Sequence, residues 1–267
     1  MKKQPLDAPF FLVLLALVVF GLLIFTSAAL GLLARGGATF TSVAVSQLLL
    51  GFLCGGIALI VLSRIDYRAW RPYTPYFFGL AIFLTLLTFM PGIGLTLKGA
   101  ARWIAMGPVS FQPAELLKFA VVLFLAGIYA SRFRHTGTLR GGILPLLLVG
   151  GVSAGILLLQ PDTDGAVVIL LAGAGMLFAA GGRLWHLAAL ALAGCLILGI
   201  AAYERPYLAE RFVTFINHSA DPQGAGWQID QSLIAVGSGG WTGRGFGQSI
   251  EKFSYLPEPI GDSIFAV

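Results

Sequence analysis

The sequence predicts an all-α polytopic membrane protein, with seven spanning helices, the start of an eighth and one large polar segment near its C-terminus. Three observations predict this. Apolar residues make up 57% of the chain and charged residues only 11%, more apolar surface than a soluble domain of 267 residues can hide. The apolar residues fall in blocks of about 17–25, the length that crosses a bilayer as a helix. The basic residues alternate between the gaps separating those blocks, as topology requires.

The spans are placed at Pro9–Leu33, Val43–Leu62, Thr74–Met90, Ala114–Ala130, Gly142–Leu159, Gly165–Ala180 and Leu184–Tyr203. Lys2 and Lys3 precede the first block, which is too long for a signal-peptide core and is read as a retained helix. Arg64, Arg68 and Arg71, then Arg132, Arg134 and Arg140, then Arg183 occupy alternate connections. All lie on the cytoplasmic side when the N-terminus is cytoplasmic. The remaining short connections hold only Arg35, Lys98 and Arg102. The basic residues form no stripe, which argues against a nucleic-acid partner. Most acidic residues fall at or beyond the outer face, a bias that topology does not require and that points to chemistry or cation handling there. Cys54 and Cys195 each sit inside an apolar block and read as small hydrophobes packed among helices.

Three segments follow: a seven-helix bundle over 1–203, an extracytoplasmic loop over 204–261, and 262–267 as the start of an eighth helix. The loop is not a plain hydrophilic tail. Ile229, Leu233 and Val236 stand at helical spacing opposite Gln228, Asp230, Gln231 and Ser232, which predicts a short interfacial or re-entrant helix. Trp227, Trp241 and Tyr255 suit the headgroup zone.

Four motifs can carry chemistry. In the first, Lys98–Ile104 leads into Gln112–Lys118. Pro113 suits the first turn of a helix, Glu115 suits its positive dipole end, and Lys118 shares a face with Glu115. This is either a packing ion pair or a place where Lys118 or Arg102 meets an anionic head group. In the second, Gln160-Pro161-Asp162-Thr163-Asp164-Gly165, the two aspartates either shape and cap a turn or hold a hard cation such as Mg²⁺ or Mn²⁺. In the third, the glycine-rich run Gly237–Ser249, the backbone either packs closely or cradles a pyrophosphate beside Arg244. In the fourth, Tyr255–Val267, Glu258 and Asp262 precede an apolar run. Asp262 there either caps a helix or, partly desolvated at the membrane boundary, serves as a base.

Taken in order, these motifs resemble the FtsW/RodA/SpoVE (SEDS) family. Lys98–Ile104 resembles its N-G-A-R-R-W-I, and Gln112–Lys118 its Q-P-S-E-x-x-K. Gln160–Gly165 resembles Q-P-D-x-G-T. Gln231-Ser232, Gly239-Gly240 and Gly245–Ser249 are similar to Q-S…G-G…G-x-G-x-S, and Leu256–Ala266 to L-P-E-x-x-x-D-F-I-F-A. The resemblance covers essentially the whole chain and is closest to the division type.

The resemblance implies a SEDS-type helical bundle in the bacterial cytoplasmic membrane. It implies a peptidoglycan glycosyltransferase that polymerises lipid II outside that membrane, in division or cell-shape maintenance. The implied partners are a class B penicillin-binding protein and other divisome or elongasome membrane proteins. Asp262 matches the family's essential carboxylate, the general base for the acceptor hydroxyl. Arg102, Lys118, Arg205, Arg211 and Arg244 are the cations to stabilise the departing pyrophosphate, with Glu115 and Glu258 beside them in the substrate site. A divalent cation near Asp162 or the outer segment is the implied cofactor.

Lys98, Ala101, Asp164, Gly165 and Ser263 depart from the family pattern. Against the family's ten spans, Val267 falls four residues into the eighth, so a C-terminally shortened version is expected. Two other functions remain for the same residues: a flippase for the lipid-linked precursor, with Glu115 and Lys118 lining its path, or a scaffold for the transpeptidase.

Overall fold

A computed structural model describes residues 7–35, 43–45, 47–97, 100–106, 109–204, 206–217, 224, 226–256 and 260–266. They form two compact units, Leu59–Leu198 and a second made of Met1–Ala58 with Gly199–Val267.

The helices are α1 (Ala8–Arg35), then α2, a π-wound stretch Gln47–Cys54 continuing as Gly55–Ser63, and α3 (Thr74–Leu87). After them come α4 (Pro113–Ser131), α5 (Leu139–Leu159), α6 (Thr163–Ala179) and α7 (Leu184–Glu204). The last are α8 (Pro206–Ile216), α9 (Trp227–Gly239) and the single turn α10 (Glu251–Ser254). Among the described residues, four helices are long and apolar enough to cross a membrane: Ala8–Gly31, Val43–Ser63, Pro113–Ser131 and Leu139–Leu159. Thr163–Ala179 and Leu184–Ile197 are shorter apolar helices, and α3 holds the remaining expected position.

The chemistry of the surface is that of a membrane protein. Phe119, Leu148 and Leu171 point outward from α4, α5 and α6, while the positions between them pack inward. In the unit Leu59–Leu198 the interior combines large residues with small ones. Leu117, Val121, Leu125, Leu157, Ile169 and Leu177 meet Ala81, Ala114, Ala120, Ala154 and Ala166. Lipid is as apolar as leucine, so helices associate through close packing, and small residues let backbones approach. A methyl group added at Gly173 would run into the Leu146 side chain.

Several buried hydroxyls in this unit donate to backbone carbonyls. Thr85 Oγ1 donates to Ala81 O, Ser153 Oγ to Val149 O, and Tyr129 OH to Gly142 O at 3.0 Å. Such pairing is obligatory where water is absent.

α5 is wound wide in two places, Leu139–Ile143 and Leu146–Gly151, on either side of Leu144-Pro145. Pro145 brings no N–H to the ladder, and π turns are one way a helix absorbs such a gap. Cys54 and Cys195, expected to pack among helices, are instead exposed.

The helical class holds, with one feature beyond it. Between α3 and α4 lies a three-stranded antiparallel sheet, in the order β1 (Gly94–Leu97), β2 (Ala100–Met106), β3 (Val109–Phe111). Leu95 pairs with Trp103, and Ile104 pairs with both Gly94 and Phe111. An irregularity between Leu95 and Thr96 shifts the register so that Thr96 faces Ala101.

Candidate functional site

Two groups of polar residues stand out, one in each unit. In Leu59–Leu198, β2 carries Arg102 to the α5–α6 turn. Its Nε donates to Gln160 O at 3.2 Å, its Nη2 donates to Pro161 O, and its Nη1 stands 3.9 Å from Asp162 Oδ1. Gln160 is itself buried, and its amide nitrogen donates to Thr85 O and Thr88 Oγ1 at the end of α3. Asp162 is buried and caps α6, its Oδ1 accepting from Gly165 N at 3.3 Å. The first two sequence motifs therefore meet, and their meeting is a staple across a turn.

That arrangement decides how Asp162 is used. One of its oxygens faces a helix N-terminus and a guanidinium, and the described residues hold no group of three or more His, Cys, Asp or Glu suited to a metal. A hard divalent cation prefers several oxygen ligands, and an adjacent guanidinium opposes it. The residues present around Asp162 do not fit a metal site.

α4 begins as the sequence predicts. Pro113 occupies its first turn, Gln112 is extended before it, and Glu115 lies in the first turn. Lys118 Nζ reaches Glu115 Oε1 at 2.8 Å. Lys118 remains partly exposed and Glu115 exposed, so the pair stays open to an approaching anion.

The second group lies in the other unit. α9 coincides with the short helix expected from the sequence, and the structure adds the direction of its faces. Ile229, Leu233 and Val236 are outward. Gln228, Ser232 and Ala235, also at helical spacing, face the chain's own last turn. Gln228 Nε2 donates to Ser263 Oγ at 3.4 Å, and the Ser232 and Ser263 hydroxyls are 3.3 Å apart. Ala235 packs with Leu256 and Ala266. Ser263 is buried and its neighbour Asp262 is exposed, followed by a 3₁₀ turn at Ile264–Ala266. The partly desolvated carboxyl expected from the sequence is thus an open one, anchored through the residue after it.

The glycine-rich run follows α9. Gly240, Gly243, Gly245 and Gly247 all have positive φ, from 57° to 100°, which side chains other than glycine resist. Arg244 Nε donates to Ser238 O, closing the C-terminal end of α9. A cavity of about 180 Å³ lies here, bounded by Ser238, Arg244, Ser249, Glu251 and Phe265.

Arg211 lies on α8. Arg205 and Glu258 fall outside the described residues, as does Lys98. One residue that the sequence reading passed over belongs to this group. Lys252 of α10 is completely buried, and its Nζ donates to Ser27 Oγ of α1 at 3.2 Å. Burial pushes its ammonium below the ordinary lysine range. No motif flags it: in Ile250-Glu251-Lys252-Phe253-Ser254 it reads as an ordinary loop lysine.

Comparison with known proteins gives this geometry a setting. The family model of the FtsW, RodA and SpoVE cell cycle proteins matches residues 7–267. A relative named probable peptidoglycan glycosyltransferase FtsW from Thioalkalivibrio sulfidiphilus is 36% identical over 268 residues, 99% of this chain and 66% of that protein. Another with the same name, from Nitrosococcus halophilus, is 40% identical over 215 residues, 80% of this chain and 55% of its own length. This chain thus spans between half and two thirds of these relatives. A solved structure titled for the coordination of polymerization and crosslinking by a peptidoglycan synthase complex matches 94% of this chain and 74% of its own. Its TM-score is 0.65 and its sequence 26% identical. Motifs, helical bundle and family match agree: this multi-pass membrane protein belongs to the FtsW/RodA/SpoVE family of cell cycle proteins.

Proposed function

We propose that this protein polymerises lipid II into glycan strands on the outer face of the cytoplasmic membrane, with Asp262 as general base. The observation that carries the reading is the mounting of Asp262. Its carboxylate is open to an incoming hydroxyl, while Ser263 is buried against Gln228 and Ser232 of α9. A general base has to be reached by its substrate yet held still, and this turn supplies both.

In this reading the acceptor sugar hydroxyl gives its proton to Asp262 as its oxygen attacks the donor's anomeric carbon. The bond from that carbon to the pyrophosphate oxygen breaks, and the undecaprenyl pyrophosphate leaves from the opposite face, inverting the anomeric centre. The leaving group carries the developing negative charge and is best served by fixed cations. Lys118, accessible beside the exposed Glu115, is the cation proposed for that role by its chemistry. Arg102 serves differently, holding the α5–α6 turn.

The positive-inside pattern supports a cytoplasmic N-terminus and an external 204–261 segment. By analogy with the synthase complex named above, a transpeptidase of the class B penicillin-binding type is the proposed partner. The test is glycan polymer formation from purified protein, lipid II and that partner. Asp262→Asn should abolish polymer while leaving the protein folded. Normal polymerisation by that variant ends the assignment of the base.

A further inference from the structure

Ser27 and Gly31 stand four residues apart, on one face of α1, and both address Lys252. Ser27 Oγ accepts from Lys252 Nζ at 3.2 Å and from Gly247 N at 3.3 Å, filling both acceptor positions of the hydroxyl. A methyl group at Gly31 would sit 2.7 Å from the Lys252 carbonyl oxygen, so only glycine allows α10 to lie this close. The stretch of α1 involved is buried at Phe25, Ser27, Ala28, Ala29 and Gly31.

The segment fastened there packs against the last turn through Leu256. The Leu256 amide donates to Glu251 O at 2.9 Å, which closes the α10 turn. Leu256 is fully buried and packs with Ala235 of α9 and Ala266. Ala266 belongs to the 3₁₀ turn that follows Asp262 and Ser263. Asp262 therefore sits in a turn whose Ser263 is held by Gln228 and Ser232 of α9 and whose Ala266 packs on Leu256, the end of the segment that Lys252 ties to α1.

We propose that Lys252 is a positioning residue. Through Ser27 it fastens the segment bearing Asp262 to α1, and so sets where the base stands. The inference rests on the polymerase reading above. A purely structural role does not call for an ammonium at this place. A methionine has a similar length and would fill the space without the desolvation that a buried charge suffers, and such replacements are often neutral or stabilising. The ammonium adds direction: it ties its backbone segment to the Ser27 hydroxyl.

The experiment compares Lys252→Met, Ser27→Ala and the double variant with wild-type protein, using lipid II as substrate. Lys252→Met should keep the thermal midpoint of the wild type, lower kcat by about tenfold and leave KM unchanged, the pattern of an interaction that serves the transition state alone. Ser27→Ala should move kcat the same way, and the double variant should be no worse than Lys252→Met.

Hydrogen exchange at the backbone amides of residues 253–256 reads the fastening without any turnover. It should quicken in both single variants. Wild-type kcat in Lys252→Met, a rise in KM alone, additive losses in the double variant, or unchanged exchange each overturns the proposal. Asp262→Asn run alongside keeps the two readings apart. If it polymerises normally the base assignment falls, whereas the exchange result still judges the fastening.

Discussion

Replacing Arg102 separates a residue that holds the fold from one that holds a ligand. Arg102→Ala removes two hydrogen bonds to the carbonyls of Gln160 and Pro161 and an ion pair with Asp162. A hydrogen bond with one charged partner is worth about 1.5–3 kcal/mol net, and each lost donor here strands a carbonyl at a turn. The ion pair is long, at 3.9 Å, with the Arg102 side chain 29% exposed, so it adds no more than about 1 kcal/mol. These terms share one side chain and do not sum in full, which brings the expected loss to about 3 kcal/mol. For a chain of this size a loss of 1 kcal/mol lowers the midpoint by about 2 °C, so the shift should be about 6 °C. Arg102→Lys keeps the charge but cannot span both carbonyls, and should recover no more than about half. The assay is thermal unfolding in detergent, followed by intrinsic tryptophan fluorescence. A shift below about 1 °C with polymer formation abolished would refute the staple and return Arg102 to ligand binding.

Leu157→Ala opens a cavity at a fully buried site in the unit Leu59–Leu198. The helices stay in lipid when packing is lost, so the cost should lie near the low end of the usual range, about 2 kcal/mol, read from the same melting curves. Gly31→Ala forces a methyl against the Lys252 carbonyl, which is backbone and cannot swing aside, and should cost about 1–3 kcal/mol. Lys252 makes stability depend on pH. Its folded value lies below the ordinary 10.5, so between the two the unfolded chain binds more protons. Wild-type stability should therefore rise with pH through that window, relative to Lys252→Met, in parallel melts from pH 7 to about 10.5; a fall would contradict the burial of a charged ammonium.

Much of this architecture is legible in the sequence, for reasons that can be named. Apolar block length locates the spans because bilayer thickness sets it. Pro113 and Glu115 mark the start of α4 because a helix N-terminus needs no N–H there and favours an anion. The Glu115–Lys118 pair follows from helical spacing alone. The faces of α9 show what periodicity leaves open. The spacing of Ile229, Leu233 and Val236 identifies a face but not its direction, and beside a membrane the apolar face can turn outward.

The sheet escapes notice because its strands are only four, seven and three residues long, too short for an alternating pattern to declare itself. Arg102 and Asp162 are both visible as charged residues, but their meeting depends on a contact 60 positions apart in the chain. Lys252 is hidden for the same reason: Ser27, its partner, is 225 residues away.

The widened turns of α5 carry an implication for how this chain tolerates change in length. Each π turn accommodates an extra residue, and one residue of an α-helix corresponds to a rotation of about 100°. Gly150, whose added methyl would touch Leu146, and Gln160, which grips α3, lie before and after the end of the second wide stretch. Deleting one residue between 146 and 151 would let the helix relax to regular winding and swing Gln160 away from Thr85 and Thr88. An insertion or deletion in a connecting loop is a local event; here it would turn an entire helix end out of register with its neighbours.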